Sequence, residues 1–190
     1  MVKKELRQKL RGILGGISPE WRHDASHRAC DRLIETREYQ RAEVIMVFLS
    51  LPSEIDTTPL VLQAWRDRKR ILAPKVSWEQ RRMLPIEFQS LSDDDLTRTQ
   101  FGIRQPTRGA PIPVCDIDLL IVPGLGFDTT GNRIGRGRGF YDQFLASSEW
   151  RGISCGMAFE QQVIELVPTS DHDLRVDMLV TDIMIRRFDL

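Results

Sequence analysis

Residues 44–50 read VIMVFLS, a continuous apolar stretch rich in β-branched side chains. A run with no polar face to offer to water belongs in a sheet covered on both sides. Residues 57–69 follow with helical spacing, and residues 70–75 (RILAPK) form a second short strand. Strand, helix, strand at this spacing is a βαβ unit, so the two strands are parallel neighbours. The same signal returns at residues 118–123 (DLLIVP), 152–159 and 178–185 (MLVTDIMI). Alternating helices and strands predict an α/β fold, a three-layer single domain over residues 1–190 around a mostly parallel sheet.

N-terminal helices precede that core. Residues 2–15 carry Leu6, Leu10, Ile13 and Leu14 on one stripe and stop at Gly15-Gly16. Ser18-Pro19-Glu20 supplies an N-cap and a first-turn proline, opening a second helix to about Tyr39. Residues 82–89 read as a weaker strand, residues 92–95 as a helix start or acidic turn, and residues 104–113 as a proline-rich surface loop. A helix is expected from near Phe140, and a short one over residues 160–166.

Composition excludes several function classes. Lys+Arg and Asp+Glu are both 27, so the basic excess of a general nucleic-acid binder is absent. Cys30, Cys115 and Cys155 are widely spaced and form no CxxC pair, so they are expected to be free thiols. No apolar run reaches membrane-spanning length, and the charged N-terminus does not resemble a secretory signal. A cytoplasmic monomer acting on a small molecule, without nucleic acid or membrane, is the expectation.

In open α/β sheets, ligands bind beyond the carboxyl ends of the strands. The segments after Ser50, after Pro123 and after Phe159 should therefore share one rim. The second of them reads PGLGFDTTGNRIGRGRGFYD, residues 123–142. Its glycines let backbone N–H groups approach phosphate oxygens, and Arg133, Arg136 and Arg138 offer forked donors. The helix N-terminus behind the loop adds partial positive charge, and Asp142 is placed to hold a Mg²⁺ that bridges phosphates. Neither a Walker A loop nor a dinucleotide fingerprint fits: Gly131 is followed by Asn132-Arg133, and Gly135, Gly137 and Gly139 give GxGxG.

With PGLGFDTTGNRIGRGRGFYDQFL, residues 123–145, the chain resembles the 5-formyltetrahydrofolate cyclo-ligase family. Further matching blocks are KKELRQKLR (3–11), FLSLPSEIDT (48–57), FGIRQP (101–106) and VPTSDHDLRVD (167–177), in the family's order. The resemblance implies ATP-dependent conversion of 5-formyltetrahydrofolate to 5,10-methenyltetrahydrofolate, with ADP and phosphate released through an iminium phosphate. ATP and Mg²⁺ are the implied cofactors. Lys3, Arg7 and the loop Arg133, Ile134, Gly135, Arg136, Gly137, Arg138, Gly139, Phe140 and Tyr141 fall on ATP-binding positions. Leu49, Glu54 and residues 136–140 fall where the family contacts folate, and Asp142 and Asp173 on metal positions. Arg136 and Arg138 are the implied catalytic charges. Arg138 stands where some members carry Lys, and Phe140 where Tyr is frequent, which changes charge geometry and removes a hydroxyl.

Several residues have a plainer structural reading. Asp128 is expected to shape the turn before Gly131. Glu54 can serve a turn ahead of a helix capped by Asp56 or Thr57. Asp171 and Asp177 rival Asp173 as metal ligands. His23, His27 and Cys30 share a helix face but lack a fourth ligand for zinc. Trp21, Trp65, Trp78 and Trp150 are expected to be packing or surface anchors. Two readings compete with the cyclo-ligase: a relative that binds folate or nucleotide without closing the ring, and an RNA-binding module using the Gly/Arg loop.

Overall fold

A computed structural model describes residues 2–77, 79 and 82–188; Trp78 lies outside them. The chain begins with α1 (Lys3–Gly15) and α2 (Pro19–Ile34), where the Ser18 hydroxyl accepts the Trp21 N–H at 3.2 Å as an N-cap. The second helix does not run to Tyr39. It stops at Ile34, and Thr36 caps a separate short helix, α3 (Arg37–Arg41), by accepting the Tyr39 amide. A β-hydroxyl that can bond its own backbone favours a cap over a helix interior, which explains the break.

The βαβ unit is present as β1 (Val44–Met46), α4 (Thr58–Arg66) and β2 (Arg70–Ser77), with β1 and β2 parallel. β3 (Arg82–Glu87) returns antiparallel on β2. The proline-rich segment is more ordered than a loop: β4 (Leu96–Arg98) and β5 (Arg104–Pro106) pair as a hairpin, with residues 92–95 turning into β4. β6 (Leu119–Val122) then enters the main sheet, followed by the small hairpin β7 (Gly126–Asp128) and β8 (Arg133–Ile134). After α5 (Phe140–Leu145) comes β9 (Ile153–Ala158).

Two further expectations are corrected. Residues 160–166 hold a 3-10 turn (Glu160–Gln162) and then β10 (Val163–Ile164), parallel to β7, rather than a helix. The Gln162 amide donates to the carbonyls of Gly124 and Leu125, so the segment is recruited by the hairpin beside it. Residues 178–185 are not one strand. β11 (Met178–Thr181) turns back into antiparallel β12 (Ile185–Arg187), because the Thr181 hydroxyl accepts the amides of Ile183 and Met184 and bends the chain.

The sheet order is β12-β11-β9-β6-β1-β2-β3, with its five inner strands parallel and both edges antiparallel. Alternate residues point to opposite faces. Ile45, Ile71, Ile121, Met157 and Val180 pack with Leu6, Leu10 and Leu14 of α1, Ala25 and Ala29 of α2 and Leu60 of α4. Met46, Leu72, Leu120, Val122 and Leu179 pack with Phe127 and with Phe144 of α5. Burying each leucine of the α1 stripe contributes about 1.5–3 kcal/mol, enough to hold that helix in place. Trp21 against Phe159 and Trp65 against Phe88 meet edge to face at 5.3 and 5.5 Å, and Trp150 lies 5.9 Å from Phe144.

β1 ends at Met46, with the Val47 amide still donating to the Leu72 carbonyl at 2.8 Å, while β2 runs on to Ser77. Pro74 has no N–H to offer a neighbour, so the sheet tolerates this parting beside it. Residues 48–54 and 74–76 diverge there, and the main cavity opens between them.

Candidate active site

The cavity measures about 750 Å³. Its lining includes Lys3, Arg7, Leu49, Glu54, all of Arg133, Ile134, Gly135, Arg136, Gly137, Arg138, Gly139, Phe140 and Tyr141, and Asp142 and Asp173. Every site residue singled out from the sequence thus reaches one space, although they come from chain segments far apart. Of the three expected rim segments, those after β1 and β6 line it. The segment after β9 does not, being tied into the β7 hairpin; residues 171–174 occupy the wall instead.

Lys3 and Arg7 project from one face of α1, four residues apart, as their spacing requires. The Lys3 ammonium donates to the Asp173 carboxylate and, at 3.1 Å, to the Ser170 hydroxyl. Arg7 Nε donates to the Gly135 carbonyl at 2.9 Å, pinning the loop to the helix. Gly137 has φ of +99°, and a Cβ there would sit 3.4 Å from the Arg7 guanidinium, so this position asks for glycine twice over. Residues 136–139 are exposed at the mouth. α5 is only six residues long, so it carries little of a long helix's dipole.

Arg133 lies deeper, with a side chain 5% exposed. Its Nη2 donates to Asp142 Oδ1 at 2.7 Å, and its guanidinium lies 5.9 Å from the Tyr141 ring centre. Its Nε has no hydrogen-bond partner among the described residues, an uncompensated donor in the wall. Burial, reinforced by the Glu54 carboxylate, pushes the Tyr141 phenol above its ordinary range. Arg138 lies 5.5 Å from the Phe101 ring centre.

The two candidate metal carboxylates share a pattern. Asp142 receives Arg133 and the Leu174 amide on Oδ1; Asp173 receives Lys3 and both Ser170 donors on Oδ2. Among the described residues, each keeps a second oxygen without a hydrogen bond, which fits an oxygen-seeking cation. Burial opposes ionisation of Asp173, but the bonds from Lys3 and Ser170 outweigh it and hold its pKa below the usual carboxylate value. No three His, Cys, Asp or Glu side chains converge as a metal cage among the described residues. Two carboxylates suit Mg²⁺, which keeps several waters and takes phosphate oxygens as further ligands. Asp171 is exposed on the lining, and Asp177 is spent on Ser154, accepting from its amide and hydroxyl at 2.7 Å. His23 and His27 are exposed with ring centres 4.6 Å apart, while Cys30 is buried against the Asp56 carbonyl.

The lining also carries an apolar set: Phe48, Leu49, Leu51, Pro74, Val76, Met83 and Ile103. Glu54 is the carboxylate among them, accepting Arg136 Nε and Nη2 on Oε1 at 3.1 and 2.9 Å and the Leu51 amide on Oε2 at 2.9 Å. Its turn reading is therefore correct as geometry, and so is its place in the cavity. Asp56 Oδ1 accepts the Thr58 amide, while the Thr57 hydroxyl donates to the Phe48 carbonyl. Apart from Leu49, the apolar wall went unread in the sequence. Period-two alternation puts Pro74 and Val76 on one face of β2, but only the pairing with β3 shows that this face meets the cavity.

Similarity to known proteins agrees with this geometry. Residues 1–182 match the description of the 5-formyltetrahydrofolate cyclo-ligase family. The 5-formyltetrahydrofolate cyclo-ligase of Mus musculus is 30% identical over 185 residues, covering 93% of this chain and 91% of that protein. That of Escherichia coli strain K12 is 29% identical over 180 residues, 93% of this chain and 96% of its own. The NMR structure of Aquifex aeolicus 5,10-methenyltetrahydrofolate synthetase aligns with a TM-score of 0.86 at 30% identity, covering 100% of this chain and 94% of that one. With the family description spanning nearly the whole chain, and the glycine-arginine loop, the α1 cations and the Glu54 wall meeting in one cavity, this chain belongs to the 5-formyltetrahydrofolate cyclo-ligase family.

Proposed function

We propose that the protein converts 5-formyltetrahydrofolate to 5,10-methenyltetrahydrofolate with ATP as second substrate and Mg²⁺ as metal. The supporting observation is one cavity lined both by a cationic, glycine-rich set and by an apolar set that accompanies Glu54. The first suits a triphosphate; the second suits a flat heterocycle with N–H donors on its edge.

The formyl oxygen on N5 is a poor leaving group. Attack of that oxygen on the γ-phosphorus breaks the bond to ADP and converts it to a phosphate ester. N10 then adds to the formyl carbon, its proton is lost, and the C–O bond breaks to release inorganic phosphate and the methenyl bridge. The protein's task is positioning and charge stabilisation. Lys3, Arg7 and Arg133 would grip the phosphates, with the amides of residues 134–141 behind them. Arg136 and Arg138 would meet the charge that moves between ADP and the transferred group. Glu54 would accept the amino-pyrimidinone edge while Leu49 covers the ring face. Asp142 and Asp173 would hold Mg²⁺, which neutralises phosphate charge when bound.

Residues 1–190 would act as one unit, as a cytoplasmic monomer. Among the described residues no helix is long and apolar enough to cross a membrane. The test is absorbance of purified protein mixed with 5-formyltetrahydrofolate, ATP and Mg²⁺. Methenyltetrahydrofolate has a near-ultraviolet band that its precursor lacks, and growth of that band should require both ATP and free metal. No growth with ATP bound would point instead to a relative that binds without closing the ring.

A further inference from the structure

Among the described residues, three ion pairs joining lining residues can be named, and one differs from the others. Lys3–Asp173 and Arg133–Asp142 each join groups at the phosphate and metal end. Arg136–Glu54 joins the phosphate loop to the carboxylate of the apolar end, across 82 residues of sequence.

The two partners are unequally fixed. Glu54 belongs to its own tight turn: its amide donates to the Leu51 carbonyl at 2.9 Å, and its Oε2 accepts the Leu51 amide. Its side chain is 12% exposed. Arg136 is 38% exposed and stands between Gly135 and Gly137, the latter in the left-handed region. Arg136 is therefore the member that swings. Both of its donors fall on Glu54 Oε1. An amino-pyrimidinone edge presents two parallel N–H donors and needs both carboxylate oxygens, so it cannot dock fully while Arg136 holds Oε1.

We propose that the Glu54–Arg136 pair is a clasp that couples the two halves of the cavity, so that folate and nucleotide each strengthen the other's binding. This rests on the functional reading above. Folate taking Glu54 releases a guanidinium beside the phosphate site; phosphate taking Arg136 releases a carboxylate facing the folate end. The first ligand opens the clasp and leaves one partly buried charge without its partner. The second ligand finds the clasp open and satisfies that charge. The coupling must be reciprocal, and for a contact of this kind it is expected at roughly 5–150-fold.

Calorimetric titration tests it. The probes are the β,γ-imido analogue of ATP with Mg²⁺, and 5-formyltetrahydrofolate, each measured alone and with the other saturating. In the unmodified protein each ligand should tighten the other by one common factor of at least about fivefold. In Arg136→Met, which keeps the apolar stem without the fork, the factor should fall to about one. Glu54→Gln should abolish it too, and serves if Arg136→Met does not fold. Binding of both ligands to the unmodified protein without mutual effect would overturn the clasp and leave the functional reading standing. So would coupling that survives in a folded Arg136→Met or Glu54→Gln protein. Failure of the unmodified protein to bind either ligand would overturn the functional reading and the clasp with it.

Discussion

Arg136 and Glu54 separate the two ends of the cavity by chemistry, so their truncation should separate by substrate. If Arg136 meets moving phosphate charge as proposed, Arg136→Ala should lower kcat by about 10²–10³-fold. Loss of the pair with the 12% exposed Glu54 side chain should also lower the melting temperature modestly. Glu54→Ala should raise the KM for folate more than that for ATP. Steady-state kinetics with each substrate varied in turn checks both, and a Glu54 effect confined to ATP would contradict the assignment. Asp128 is a different case, buried at 0% exposure and outside the cavity lining. It accepts from the amides of Thr130, Asn132 and Val167, the Thr130 hydroxyl and the Asn132 side chain. Asp128→Ala leaves those donors without their acceptor and should cost about 2–4 kcal/mol in urea unfolding. A loss of activity without that loss of stability would mean a role beyond the turn.

The β7–β8 hairpin is the element that brings the glycine-arginine loop to α1. Gly126 sits where the helix crosses it: a Cβ there would lie 2.7 Å from Leu10 Cδ1 and 3.1 Å from the Gln162 carbonyl. Gly126→Val should therefore cost about 1–3 kcal/mol by overpacking. Because Lys3 and Arg7 ride on the same helix, it should also raise the KM for ATP; an unchanged KM would mean that α1 does not set those cations. Elements of this kind mark the limit of what the sequence shows. The buried strands of the main sheet are legible because long apolar runs and βαβ spacing are local signals. β7, β8 and β10 are two or three residues long and exist because of their neighbours, so the glycines and polar residues of the first two read as loop and residues 160–166 read as a helix. The same holds at the site. Cations and glycines close together make the loop stand out as a candidate anion site, whereas Pro74, Met83 and Ile103 look like any apolar residue until the strands are paired.

At the scale of the whole molecule, stability should be pH-dependent on the acid side. The hydrogen bond from Arg187 lowers the Glu38 carboxyl to about 2 despite partial burial. That contact ties β12 back to α3. The Arg186 bond likewise holds Glu160 below its ordinary value. At Asp128 and Asp173 burial opposes ionisation, and hydrogen-bond donors outweigh it. Carboxyls depressed in the folded state bind fewer protons than in the unfolded chain. Their contribution is complete above the ordinary carboxylate range of about 4 and is lost as pH falls through the folded values. Melting temperature should hold near neutrality and fall between about pH 4 and pH 2. A melting temperature flat down to pH 2 would mean that these contacts add nothing to stability.

The central claim is that the cavity lets the formyl oxygen of one substrate take the γ-phosphoryl group of the other. It is tested most directly with 5-formyltetrahydrofolate labelled with ¹⁸O in the formyl group, turned over with ATP and Mg²⁺ in ordinary water. The account predicts that the label appears in the released inorganic phosphate, one ¹⁸O for each methenyl group formed. Unlabelled phosphate alongside methenyltetrahydrofolate would contradict it, since the phosphoryl group would then never have reached the formyl oxygen.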